Sequence, residues 1–397
     1  MWGGETTDYM LKDAFNRKPK KEPERRPTLG GGSIPVPSSL PADQVPTHEF
    51  EPLDAEEASS GAETVVTTNQ LAALTLQRLI DTYQPPDLSE MRPQAPEQLP
   101  IEASPIIFAA EPMRAQECEL SNNVINDLYY IEGLLAKGGM GQVLLCQHLR
   151  REMKVVMKLM LREADSRDAA FQRFMQECKV THKLKHPNLV KVLDYGILLE
   201  GFKPYLVMEL VEGQSLRQIL RKRFALVPAD IAQVLVQACE GLYEVHGKGI
   251  IHRDLKPENL MLRGIPEAPD NVKILDFGIA QLQKDKRFDE SGWAIGSIGY
   301  MSPEQVCGQP VDLRTDIYSV GLIFYEAITG KPPFKGRTPK ETMAMHVKAP
   351  LVTPSQIVHC ENRDLVDQIC LKALAKDPNE RYQNMKDLQR DLAKLMK

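Results

Sequence analysis

The chain has 397 residues, 42% hydrophobic and 26% charged, long enough for two or three domains or for one large domain with a long appendage, and apolar enough for a sizeable core. That balance excludes collagen-like, fully disordered and disulfide-stapled chains. A formal net charge of −5 leaves no basic field to draw the protein onto nucleic acid or an anionic membrane.

Composition shifts near residue 120. Residues 1–120 carry 15 of the 29 prolines and hold 10 Lys+Arg against 20 Asp+Glu, a net −10 that leaves +5 for residues 121–397. Low apolar density with repeated Pro cannot offset the entropy of ordering a backbone, so this acidic arm is expected to be mostly disordered. Three islands interrupt it. Residues 17–26 hold six basic side chains diluted by Glu22 and Glu24, the pattern of a solvated charge run. Residues 69–83 place Leu71, Leu74, Leu76, Leu79, Ile80 and Tyr83 at helical spacing after the cap Asn69. The spacing predicts one short amphipathic helix, either transient or docked on the globule or a partner. Two double-threonine stretches, around Thr6-Thr7 and Thr64 to Thr68, are ordinary arm residues or phosphorylation sites.

From residue 125 the pattern is that of a folded unit. Runs at 143–145 and 154–158 predict strands. Helical periodicity follows at 171–184, 230–246, 316–329, 365–375 and 384–396. Strands first and helices afterwards predict an α+β unit in two lobes, a small β-rich one over about 125–208 and a larger helical one over about 212–397. No internal repeat is visible. The seven cysteines are scattered without a C-x-x-C pair, so reduced thiols in the cytoplasm are expected rather than a zinc site or disulfide framework. No stretch reaches the roughly 18 apolar residues of a membrane span, and MWGGETTDYMLKD lacks a signal-peptide layout. A soluble enzyme is expected.

Two patterns suggest phosphate chemistry. Gly138, Gly139 and Gly141 lie between strand-like runs, where glycines let backbone N–H groups approach a polyphosphate, although a plain turn looks the same. Lys158, bracketed by apolar residues on the next run, could project an ammonium beneath that loop. The decisive stretch is His252-Arg253-Asp254-Leu255-Lys256-Pro257-Glu258-Asn259, followed by Asp276-Phe277-Gly278 and then Ser302-Pro303-Glu304. In these residues and their order, the sequence resembles the protein kinase family, specifically the eukaryotic-like serine/threonine kinases of bacteria. The resemblance covers about 125–396 and none of the arm.

The resemblance implies a bilobal kinase fold and transfer of the γ-phosphoryl group of ATP to Ser/Thr hydroxyls of protein substrates, the chain itself included through self-association. Lys158 would hold the α- and β-phosphates, fixed by an ion pair with Glu177, itself otherwise an ordinary helix-surface acid. Asn259 and Asp276 would ligate Mg²⁺, with Mn²⁺ as the alternative ion. Asp254 would orient the acceptor hydroxyl and take its proton, and Lys256 would reach the transferring phosphate. Val143 and Val156 would roof the adenine, Met261 floor it and Met208 close its rear, with the backbone of Glu209 to Val211 as hinge. Ser297 would stand beside the acceptor hydroxyl. Asp316 would brace the catalytic loop, and Arg381 would form a buried pair with Glu304.

Three departures matter. Ala136 replaces the first glycine of the family's loop while Gly138 and Gly141 are kept; a positive φ at Ala136 would cost on the order of 1 to 2 kcal/mol. Val156 and Met157 precede Lys158 where the family usually has Ala and Ile or Val, and the bulkier Val156 is expected to narrow the adenine roof. Between Gly278 and Ser302 there is no threonine, only Ser291 and Ser297, so Asp289, Glu290 or phosphorylated Ser291 is expected to supply the anion that Arg253 awaits. Every charged catalytic position is filled, which favours an active kinase over the alternative, a pseudokinase scaffold acting through its arm. That arm, at −10, could also tether weakly to the +5 kinase unit.

Overall fold

The computed structural model describes residue 81 and residues 123–138, 141–160, 169–198, 203–276 and 298–397. All described residues belong to one compact unit, within Thr67–Lys397. The expected helix at 69–83 lies outside the described residues except for Asp81, which is helical and exposed.

Six strands open the folded unit: β1 (Val124–Ile125), β2 (Tyr129–Gly138), β3 (Gly141–His148), β4 (Met153–Met160), β5 (Val192–Ile197) and β6 (Pro204–Glu209). They form one antiparallel sheet in the order β1-β2-β3-β4-β6-β5. Successive side chains of a strand point to opposite faces, and here both faces are buried. Leu144, Cys146, Val155, Met157, Leu159, Tyr205 and Val207 pack in an outer cluster. Their alternates Val143, Val156, Met160, Leu206 and Met208 pack in another, which faces the second lobe. Lys158 follows Val156 by two residues and so falls on that inner face. Helix α1 (Ala169–His182) lies between β4 and β5 in the chain and packs on β5.

The second lobe begins with β7 (Gln214–Ser215), which joins β8 (Leu260–Ile265) and β9 (Ala268–Ile274) in a small antiparallel sheet. Its helices are α2 (Leu216–Arg223), α3 (Pro228–His246), α4 (Pro303–Val306), α5 (Arg314–Thr329), α6 (Pro339–Lys348), α7 (Arg363–Ala373) and α8 (Met385–Ala393). Local chemistry sets their ends. Ser215 and Gln218 form a capping box on α2, as Ser302 and Gln305 do on α4, and α3 starts with Pro228 at its first turn. Helix α5 is buried all round, the character of a central helix. It ends at Gly330, whose φ of 74° is open to glycine at little cost. One cluster gathers α2, α3, α5, α7 and α8.

The lobes are stitched by backbone as well as side chains. Val190 N donates to Ile274 O at 3.0 Å and Ile274 N donates to Asn188 O at 2.9 Å. The approach to β5 is therefore fixed against the end of β9, one residue before Leu275 and Asp276.

Candidate active site

Four segments converge on the inner face of the sheet: the β2–β3 hairpin, β4, the turn leading into β8 and the end of β9. In the hairpin Gly138 pairs with Gly141, and a Cβ on Gly141 would stand 2.4 Å from Leu159 O, so only glycine fits. Ala136 pairs with Val143, is buried and keeps φ below zero, so the strain that a positive φ would impose does not arise. Gly138 ends β2, and the hairpin tip at 139–140 lies outside the described residues.

The residues expected around adenine come together. Val143, Val156, Met208, Val211 and Met261 share one buried cluster with Ala136 and Leu275, and Leu135 and Leu210 pack on it. The cluster draws on both lobes. Leu275 and Leu135 escaped the sequence reading, although each adjoins a motif residue. Glu209 does more than lend backbone to the hinge: its Oε1 accepts from Lys191 N at 2.9 Å and from Lys273 Nζ at 2.7 Å. Lys273, three residues before Asp276, carried no sequence signal of that role.

The catalytic-loop residues are held by a buried acid beneath them. Asp316 Oδ2 accepts from His252 N at 2.8 Å and meets His246 Nε2 at 2.7 Å, while Oδ1 accepts from Arg253 N at 2.9 Å. Burial alone would push the Asp316 carboxyl up; the hydrogen bond and charge of His246, with the donors of the loop, hold it below the usual carboxylate range. These bonds fix Arg253 at φ 66°, a left-handed conformation costing on the order of 1–3 kcal/mol unless its surroundings enforce it. Asp254 N donates to His252 Nδ1 at 3.3 Å, which leaves the ring proton on Nε2, donating to Leu275 O at 2.8 Å. The segment carrying Asp276 is thereby tied to the loop carrying Asp254.

Asp254 Oδ2 meets Lys256 Nζ at 2.9 Å, and Asn259 Nδ2 donates to Asp254 O at 2.7 Å. Burial works against the Lys256 ammonium, but Asp254 beside it lifts its pKa above the ordinary lysine value. Asn259 is buried, and Leu275 N donates to its backbone O at 2.9 Å. Lys158 Nζ lies 3.1 Å from Asp276 Oδ1. Burial would raise the Asp276 carboxyl; the Lys158 ammonium, with Lys256 adding, holds it below the usual range. Asp276 sits at φ 57°, a second left-handed non-glycine residue at this place. Glu177 lies on α1, but its side chain is outside the described residues, as are residues 277–297 with Ser291 and Ser297. The expected buried pair is present: Arg381 Nη1 and Nη2 donate to Glu304 Oε1 and Oε2 at 2.9 and 2.8 Å.

A lysine from the sheet, a carboxylate after β9, and a carboxylate, an amide and a second lysine from one loop thus come together where the two lobes meet. Among the described residues no helix is long and apolar enough to cross a membrane. The protein kinase domain family matches residues 129–392. Serine/threonine-protein kinase PknB of Mycobacterium leprae is 38% identical over 275 residues, 68% of this chain and 43% of that protein. The probable serine/threonine-protein kinase PknB of Corynebacterium glutamicum is 36% identical over 284 residues, with the same coverage. The chain therefore spans under half the length of these curated relatives. The crystal structure of the PknI kinase domain of Mycobacterium tuberculosis superposes with a TM-score of 0.54 at 24% identity, covering 70% of this chain and 99% of that one. Motif order, two-lobed fold and matched span agree: the chain belongs to the protein kinase family, among the eukaryotic-like serine/threonine kinases of bacteria.

Proposed function

We propose that this chain transfers the γ-phosphoryl group of ATP to Ser/Thr hydroxyls of protein substrates, itself included, using Mg²⁺. The observation that carries the reading is the Lys158–Asp276 pair at 3.1 Å, opposite a loop that holds Asp254, Lys256 and Asn259 in mutual hydrogen bonds. A loose, highly anionic transition state asks a protein mainly for position and fixed positive charge.

Lys158 binds the α- and β-phosphates, steadied by Glu177 when the nucleotide draws it from Asp276. The adenine lies between Val143 and Val156 above and Met261 below, with Met208 behind and the backbone of Glu209 to Val211 along its edge. The cation's donors fit its chemistry. Asp276 is held ionised, and Asn259, whose nitrogen is bonded to Asp254 O, has its amide oxygen to offer. A bound ion would supply positive charge against the phosphate oxygens. Asp254 orients the acceptor hydroxyl and accepts its proton, while Lys256 stands by the transferring group.

The test is incubation of the purified protein with Mg²⁺ and ATP, followed by mass-spectrometric mapping of phosphate. Phosphoserine and phosphothreonine are expected on the chain and on added protein. Nucleotide binding without transfer to any hydroxyl would instead support the pseudokinase scaffold.

A further inference from the structure

Two strand ladders border the apolar cluster expected to hold adenine, and one ion pair joins them. On the sheet side Val156 pairs with Met208 and Val155 with Glu209, so the roof is laddered to the last two residues of β6. On the other side Met261 of β8 stands directly opposite Lys273 of β9. Directly opposed side chains share one face of a sheet, so Lys273 stands beside the floor. Its Nζ donates to Glu209 Oε1 at 2.7 Å and to Leu189 O at 3.2 Å. The same carboxylate oxygen accepts from Lys191 N at 2.9 Å, and Glu209 N donates to Lys191 O at 3.0 Å. Glu209 is thus held by the approach to β5 and by the second lobe together, at the point where the chain leaves β6 for the hinge.

Among the described residues two ion pairs cross between the lobes, Lys158–Asp276 and Lys273–Glu209. On the reading above, nucleotide draws Lys158 from Asp276, which leaves the second pair to hold the lobes in register. Its side chains are 22% and 27% exposed, so water and salt screen it less than a surface pair. The distance it fixes matters because contact with a flat base depends steeply on separation. A gap of roughly 0.5–1 Å forfeits about a quarter to a half of the dispersion energy of the facing atoms.

We infer that Lys273 and Glu209 are positioning residues whose side chains set the height of the adenine slot and, through it, the affinity for nucleotide. The inference rests on the phosphotransfer reading for the place of the base and adds to it what holds roof and floor at stacking distance. With the pair formed, the hinge end of β6 is fixed against the strand that carries the floor's partner. Without it, Val156 and Met261 can part by the fraction of an ångström that weakens stacking.

The experiment titrates the full-length protein with adenosine and with ADP and measures ATP kinetics beside them. Lys273→Met should weaken both ligands about five- to tenfold and raise KM for ATP to match, with kcat changed by less than about twofold. Lys273→Arg keeps the charge and should stay within about twofold of wild type. Glu209→Gln keeps the shape and an acceptor oxygen but not the charge; it should weaken adenosine by about two- to threefold, and it carries the test if Lys273→Met does not fold. The double variant Lys273→Met/Glu209→Gln should bind no more weakly than Lys273→Met, because one pair can be broken only once. Effects that multiply overturn the inference, since the two side chains then act separately. So do adenosine binding that stays at the wild-type level in the folded variants, a loss confined to ADP, which would put Lys273 at the phosphates, and a fall in kcat with KM unchanged. The expected pattern in a protein that transfers no phosphate supports the slot and counts against the transfer reading alone. A wild type that binds neither ligand overturns both.

Discussion

The carboxylate of Asp316 accepts from two successive backbone N–H groups of the catalytic loop and meets an imidazole nitrogen, all within 2.9 Å. Arg253 is left-handed at φ 66° because these bonds leave its backbone little choice. Replacing the acid by Asn keeps the shape but not the charge, so Asp316→Asn should cost about 3–5 kcal/mol at pH 7, as for other broken buried pairs. The folded pKa of Asp316 is depressed, so its stabilisation is complete above the unfolded value of about 3.9 and is lost as pH falls through the folded pKa. Denaturant unfolding at pH 7 and pH 3 checks both points: the gap between wild type and variant should shrink at the lower pH. A gap that stays constant would mean that the loop is held by shape alone. Asp254 has a different part. Its carboxylate touches only Lys256 among the hydrogen bonds described, so Asp254→Asn should leave folding and ATP binding intact while lowering transfer by about 10² to 10⁴. Single-turnover kinetics beside nucleotide titration separates the two.

Helices α4, α5 and α7 meet around the Arg381–Glu304 pair. The guanidinium also donates to Ala375 O, Arg314 O and Lys376 O, and Thr315 Oγ1 donates to Glu304 Oε1. With so many groups dependent on one side chain, Arg381→Met should destabilise the helical lobe by about 3–5 kcal/mol. Exchanging both members for apolar residues should cost less, because no charge is then stranded; a double-mutant cycle in urea measures the difference. Close packing makes a second site brittle. A Cβ on Gly321 of α5 would stand 2.8 Å from the Ala373 Cβ of α7, so Gly321→Ala should cost about 1–3 kcal/mol despite its better helix propensity. Most helices were legible in the sequence because their apolar spacing is strong, and their ends were not. The run read as 365–375 spans Arg363–Ala373, since Leu374 already leaves helical geometry as the cap. The run read as 384–396 has Asn384 as a cap accepting from Asp387 N, and it tightens to a 3₁₀ turn after Ala393. Such ends depend on individual hydrogen bonds, which periodicity does not report.

The cleft belongs to neither lobe alone. Val143 and Val156 come from the sheet, Met261 and Leu275 from the second lobe, and all four lie in one buried cluster. The charged members of this junction were legible in the sequence through its resemblance to the protein kinase motifs. The sequence was silent on Leu275, on Lys273 reaching Glu209, and on Arg217 bridging Glu258 and Glu326, because a lone Leu, Lys or Arg has the same appearance wherever it lies. The outer cluster of the sheet, with Leu144, Met157 and Val207, shares no residue with the large cluster around α5. Among the described residues, the lobes are joined by the shared apolar cluster, by the backbone bonds of Ile274 with Asn188 and Val190, and by the Lys158–Asp276 and Lys273–Glu209 ion pairs. This junction is small beside the core of either lobe, so without nucleotide calorimetry should resolve a lower transition for the smaller lobe ahead of the helical one. Mg-ATP, placed as proposed between Val156 and Met261, would bind only the folded arrangement. At a hundredfold excess over Kd it adds about 2.7 kcal/mol, or about 5–10 °C in the Tm of a unit this size. Because that ligand touches both lobes, the lower transition should rise and merge with the upper one. A rise of the upper transition alone would place the nucleotide on the helical lobe and break the shared-cleft account.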